Sequence, residues 1–147
     1  MSLRSILLRA YFSQRERAID TFRRHPVETQ ARMFRQLLRR GRRTEFGWRY
    51  NLGRIRTPEQ FASMVETFDY DTFKPYIERM LAGESDVTAP GRVTLFARSS
   101  GTTSDRSKYI PVTRESLWWN HTMGMRDVAT VFAANNPRSK VFDGKTL

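Results

Sequence analysis

Apolar residues recur at helical spacing from the start of the chain. Leu8, Phe12, Ile19 and Phe22 predict a helix running to His25-Pro26, where proline restarts the chain as a favoured first helical residue. Val27, Gln30, Phe34, Leu37 and Leu38 line one face of a second helix that Gly41 can end. Thr57-Pro58-Glu59-Gln60 has the order of a capping box with proline at the first helical position, and starts a helix expected to bury Phe61, Met64, Val65 and Phe68. A further helix carries Phe73, Tyr76, Ile77, Met80 and Leu81 and stops at Gly83, and Ala89-Pro90-Gly91 reads as a turn.

The period then changes. Val93-Thr94-Leu95-Phe96-Ala97 and Tyr109-Ile110-Pro111-Val112 are short, β-branched and aromatic, as strands are. Pro111 places the second at an edge or at its own end. Thr113 stands where it can cap a long helix whose inner stripe would be Leu117, His121, Met125, Val128 and Phe132, with Asn135-Asn136-Pro137 as its stop. Gly124 within it hints at close approach of another element. Val141-Phe142 begins what reads as a third strand, and the chain ends at Thr146-Leu147 without a cap or polar tail, as a piece of a longer protein would. The expected fold is an α/β fragment: a helical N-terminal half, a β-hairpin, a long helix and the start of a further strand. Residues 1–147 would form part of one larger N-terminal domain, with a basic helical region at 1–56, two helices and a turn at 57–91, and the strand-containing remainder at 92–147.

Composition adds a core and an asymmetry. Hydrophobic residues make up 39% of the chain, enough to exclude a disordered polypeptide. Residues 1–56 hold 15 arginines against four acids (Glu16, Asp20, Glu28, Glu45), so the whole net charge of +11 falls there and residues 57–147 sum to zero. Such a face suits RNA, an anionic surface or another part of the same protein, although basic helix faces are often simply solvated. The aromatic residues of these helices fall on apolar faces rather than between arginines, so no stacking platform is evident and nucleic acid is not expected. Cysteine is absent, and two distant histidines, His25 and His121, make no metal site. No stretch is apolar enough for a membrane span; the arginine-rich opening weakly resembles a transit peptide but meets Glu16 and Asp20 early, and the cytoplasm is the default.

The polar loop between the strands carries the chemistry. In Ser99-Ser100-Gly101-Thr102-Thr103-Ser104 every residue but the glycine bears a small hydroxyl. Glycine lets a backbone approach a ligand closely, and neighbouring N–H groups and hydroxyls can converge on phosphate oxygens, with Lys108 adding a point charge. The run is not a Walker loop: no glycine-lysine-serine/threonine follows, and it leads from strand to strand. Composition alone is equally that of a solvated hairpin loop.

The order of the residues resembles the phosphate loop of adenylate-forming, acyl-activating enzymes. Four residues, Ser104 to Ser107, precede Lys108-Tyr109-Ile110-Pro111, and this spacing resembles the auxin-responsive promoter family of acyl-acid amido synthetases more than the wider superfamily. Thr44-Glu45-Phe46-Gly47 and Tyr70-Asp71-Thr72-Phe73-Lys74-Pro75-Tyr76-Ile77-Glu78-Arg79-Met80 are similar to that family's N-terminal region, in the same order. The resemblance implies a ligase that joins a carboxylic acid to ATP as an acyl-adenylate and passes the acyl group to an amine such as an amino acid. It implies phosphate-contacting roles for Ser99, Ser100, Gly101, Thr102, Thr103, Ser104 and Lys108, and magnesium as a companion of ATP. Ser104 and Asp105 depart from it, standing where relatives commonly carry glycine, so Lys108 is as readily a structural strand residue as a phosphate ligand. Motifs for adenine, ribose and the acyl acid would lie beyond Leu147, so this chain alone is not expected to complete the reaction. The alternatives are a small basic module for RNA or an anionic surface, and a non-catalytic fragment that packs against the remainder of its own chain.

Overall fold

Proline at its first position and glycine at its last bracket α2 (Pro26–Gly41), which follows α1 (Leu3–Arg24) after the single residue His25. Both boundaries match the apolar pattern. The computed structural model describes residues 3–99 and 107–141. These residues divide into two compact units, one within 30–114 and the other made of segments from 1–29 and 115–147.

In the 30–114 unit, α2 leads into the short α3 (Glu45–Arg49), then α4 (Pro58–Met64) and α5 (Tyr70–Leu81). Thr44, fully buried, caps α3: its hydroxyl donates to the Gly41 carbonyl at 2.7 Å and accepts the Gly47 N–H at 3.0 Å. That closure presses two backbones together, since a Cβ on Gly47 would stand 2.0 Å from the Gly41 carbonyl oxygen. Thr57 caps α4 as expected, but Gln60 reaches past it to accept the N–H of Arg56 at 2.7 Å, one residue earlier than a reciprocal box requires. Asp69 and Thr72 form the reciprocal box that starts α5. Its end is a Schellman motif: Gly83 (φ +92°) bonds Met80 and Glu84 bonds Arg79, as the chain turns through a left-handed residue.

Two clusters form the core here. Leu38, Leu52 and Ile55 gather Phe34 and Phe61, while Tyr76, Ile77, Met80, Val87 and Val93 gather Phe68, Phe73 and Phe96; Phe46 touches both. Leu81 and Met64, expected inside, are exposed. Leu81 is the last residue of α5, just past the buried Met80, and Met64 ends α4, in which no residue is fully buried. Strand β1 (Leu95–Arg98) pairs antiparallel with β2 (Tyr109–Val112) in the register Leu95↔Val112 to Arg98↔Tyr109. Val93 is not part of β1: it is buried among the α5 residues, and pairing begins two residues later. Among the described residues the sheet has these two strands, so Pro111 does lie in an edge strand.

A long helical run made of α6 (Arg114–Ser116), a π-helical stretch (Leu117–Thr122) and α7 (Met123–Asn135) leads through the other unit, where α7 packs against α1. Arg9 donates to the carbonyls of Ala133, Asn136 and Ser139, closing the C-terminal end of α7. Arg15 forms a two-pronged pair with Asp127, and Arg126 bonds the Tyr11 carbonyl while lying 4.0 Å over that ring. Met123, Thr130 and Ala133 are the buried residues of α7. The expected stripe does not face α1: Leu117, His121, Met125, Val128 and Phe132 are all exposed among the described residues. In the π stretch hydrogen bonds reach i+5, so an extra residue enters the turn and the later phase shifts. Nor does Gly124 mark a close approach, for a Cβ there would meet nothing within 4 Å. Phe22, on the predicted inner stripe of α1, is half exposed. Val141 stands in a turn, and the rest of the predicted third strand lies outside the described residues.

Candidate phosphate-loop site

The β1–β2 hairpin holds the two described residues of the predicted site opposite each other. Beyond the last ladder pair, the Ser99 N–H donates to the Lys108 carbonyl at 2.9 Å, and the Lys108 N–H donates to Ser99 Oγ at 3.1 Å. The neck of the loop is thus closed by two bonds, one of them through a side chain. Ser99 Oγ is an acceptor here, and its own hydroxyl proton is available to a ligand. Ser100, Gly101, Thr102, Thr103 and Ser104 lie outside the described residues.

Lys108 does not reach a carboxylate among the described residues. Its ammonium lies 5.1 Å from the centre of the Tyr70 ring, a cation–π placement, and the residue is exposed. Tyr70 also holds the strand itself, because its hydroxyl accepts the Tyr109 N–H at 2.9 Å. The same helix start carries Asp69, held below the usual carboxylate range chiefly by its backbone bond from Thr72, with a smaller contribution from the charge of Lys108. The first turn of α5 therefore fixes the C-terminal side of the loop neck. Sequence reasoning missed Tyr70: it lies 39 residues from Tyr109, with no periodicity linking the two.

The described residues contain no group of three or more acidic or histidine side chains able to hold a metal ion, and no helix among them is long and apolar enough to cross a membrane.

The GH3 family N-terminal domain matches residues 15–147, nearly the whole chain and all of the hairpin. The chain belongs to the GH3 family. It is 30% identical over 100 residues to indole-3-acetic acid-amido synthetase GH3.2 of Arabidopsis thaliana, covering 67% of this chain and 18% of that relative. Over 57 residues it is 40% identical to indole-3-acetic acid-amido synthetase GH3.10 of the same plant, covering 38% of this chain and 10% of the relative. Over 60 residues it is 37% identical to indole-3-acetic acid-amido synthetase GH3.17, covering 40% and 10%. The chain thus spans under a fifth of the length of these GH3 relatives. The resemblance read from Thr44–Gly47, Tyr70–Met80 and the serine-threonine loop is therefore to the right family.

Proposed function

We propose that residues 1–147 are part of one larger N-terminal domain of an ATP-dependent acyl-acid amido synthetase, and that the hairpin loop holds the triphosphate of ATP. The loop sequence carries this reading: a run of hydroxyls around Gly101, inside the GH3 match, on a neck closed at Ser99 and Lys108. In adenylation a carboxylate oxygen attacks the α-phosphorus of ATP and pyrophosphate leaves. The protein's task is to orient the phosphates and to stabilise charge on their oxygens, which fixed N–H and O–H donors accomplish without a nucleophile. Ser99, Ser100, Gly101, Thr102, Thr103 and Ser104 would supply those donors, and Lys108 a charge at the neck. ATP would arrive as its magnesium complex, the ion held by phosphate oxygens and water. The acyl group would then pass to an amine such as an amino acid, as the names of the plant relatives suggest. The exposed apolar residues of α1 and α7, such as Leu7 and Val128, would be covered by the remainder of the domain. A cytoplasmic setting fits such chemistry.

The test is a Thr102→Ala/Thr103→Ala variant of the whole protein. Loss of two phosphate donors is expected to lower kcat/KM for ATP by about a hundredfold or more. Unchanged ATP kinetics would remove the loop from the site.

A further inference from the structure

We infer that Arg35, Arg39, Arg42 and Arg56 form a second anion site, distinct from the hairpin, for a compact ligand carrying two or more phosphate groups. Together they wall a cleft of about 250 Å³ whose lining contains no carboxylate and no hairpin residue. A water molecule takes up about 30 Å³, so the space holds a group of many heavy atoms. Its floor is Leu38, Leu52 and Ile55, all buried.

Arg35, Arg39 and Arg42 follow one another at i, i+4 and i+7 along α2 and its exit, which places them on one face. Arg56 comes to the same cleft from beyond α3, and its Nη1 donates to the carbonyls of Gly53 at 2.7 Å and Ile55 at 2.9 Å. Other arginines are held by carboxylates: Arg15 by Asp127, Arg23 and Arg24 by Asp20, Arg79 by Glu45 and Glu84. Among the described residues, the guanidinium groups of Arg35, Arg39 and Arg42 make no hydrogen bond or ion pair. The negative end of the helix dipole favours Arg39, in the last turn of α2, but does not account for Arg35 or for Arg56.

Four guanidinium groups around one cleft repel one another until an anion enters. The planar fork of each matches phosphate oxygens two at a time. A phosphate monoester carries about −1.5 to −2 at neutral pH, so two or three phosphate groups balance this set where a single carboxylate leaves most of it unmatched. The ligand is either a free polyphosphorylated compound or a phosphorylated lipid headgroup, which share this chemistry.

Titration calorimetry on the whole protein at about 0.15 M salt, where weak surface attraction is screened, separates these sources. The probes are sodium tripolyphosphate and vesicles containing phosphatidylinositol bisphosphate. Arg39→Gln/Arg42→Gln is compared with Arg17→Gln/Arg32→Gln, which removes the same charge from exposed positions outside the cleft. Both pairs are exposed, and neither alters the hairpin, so a phosphate loop there contributes equally to all arms. The cleft variant is expected to bind about tenfold or more weakly, as loss of charge-assisted bonds requires, while the control changes less than about twofold. A loss with the soluble probe assigns a free phosphate compound; a loss with vesicles alone assigns a headgroup. Equal losses in the two variants, or binding of neither probe, would overturn the site.

Discussion

The hydroxyl of Tyr70 accepts the backbone N–H of Tyr109 at 2.9 Å, tying the first residue of α5 to the first residue of β2. Replacing it tests whether that bond holds the loop neck. Tyr70→Phe keeps the ring under Lys108 but removes the acceptor, and is expected to cost about 0.5–1.5 kcal/mol because water can replace it at the exposed Tyr109. Amide hydrogen exchange at Tyr109 should accelerate. Unchanged protection there would show that β2 is held by other means.

Arg79 joins two carboxylates from distant positions, with Nη1 2.8 Å from Glu45 and Nε 2.7 Å from Glu84. Hydrogen bonds from Arg79 hold both carboxyls below their ordinary values and raise the guanidinium in turn. A depressed carboxyl contributes stability that is present above its unfolded pKa, about 4.3 for glutamate, and is lost as pH falls through the folded value. The melting temperature is therefore expected to fall below about pH 4.3, and to fall less steeply in Arg79→Met. Parallel profiles for the two proteins would contradict the pairing.

Two glycines should respond in opposite senses to alanine. At Gly47 the new Cβ meets the Gly41 carbonyl at 2.0 Å, and backbone must move. The expected cost is at least the upper part of the roughly 1–3 kcal/mol seen for overpacked sites. At Gly124 the Cβ meets nothing within 4 Å, and alanine is expected to stabilise α7 by about 0.5–1 kcal/mol. Chemical denaturation of both variants checks the pair.

Arg15 and Asp127 meet through two bonds, at 2.5 and 3.1 Å, and are both partly shielded from solvent. A double-mutant cycle with alanine at each is expected to give a coupling of about 0.5–1 kcal/mol, the upper range for partly exposed pairs with two-pronged geometry. Coupling near zero would mean that α1 is held to α7 by its other contacts.

Local signals carried most of the fold. Pro26 and Gly41, Thr57-Pro58 and the positive-φ Gly83 mark helix ends through their own backbone chemistry, so α2, α4 and α5 were legible in the sequence. Helix α3 was not, because its five residues are too few to show a period. The face of α7 that packs on α1 was misread because the π-helical Leu117–Thr122 breaks the phase that periodicity assumes. Of the candidate site, the serine-threonine run and Lys108 were visible as composition and order. Tyr70 was not, since a bond between residues 39 apart arises only from the tertiary packing of α5 on β2.

Adenylation leaves its mark on the nucleotide that the whole protein releases as it joins an acyl acid to an amino acid. AMP and pyrophosphate, in step with amide and with carboxylate-dependent exchange of pyrophosphate into ATP, are the expected products. ADP and inorganic phosphate, with no such exchange, would contradict it.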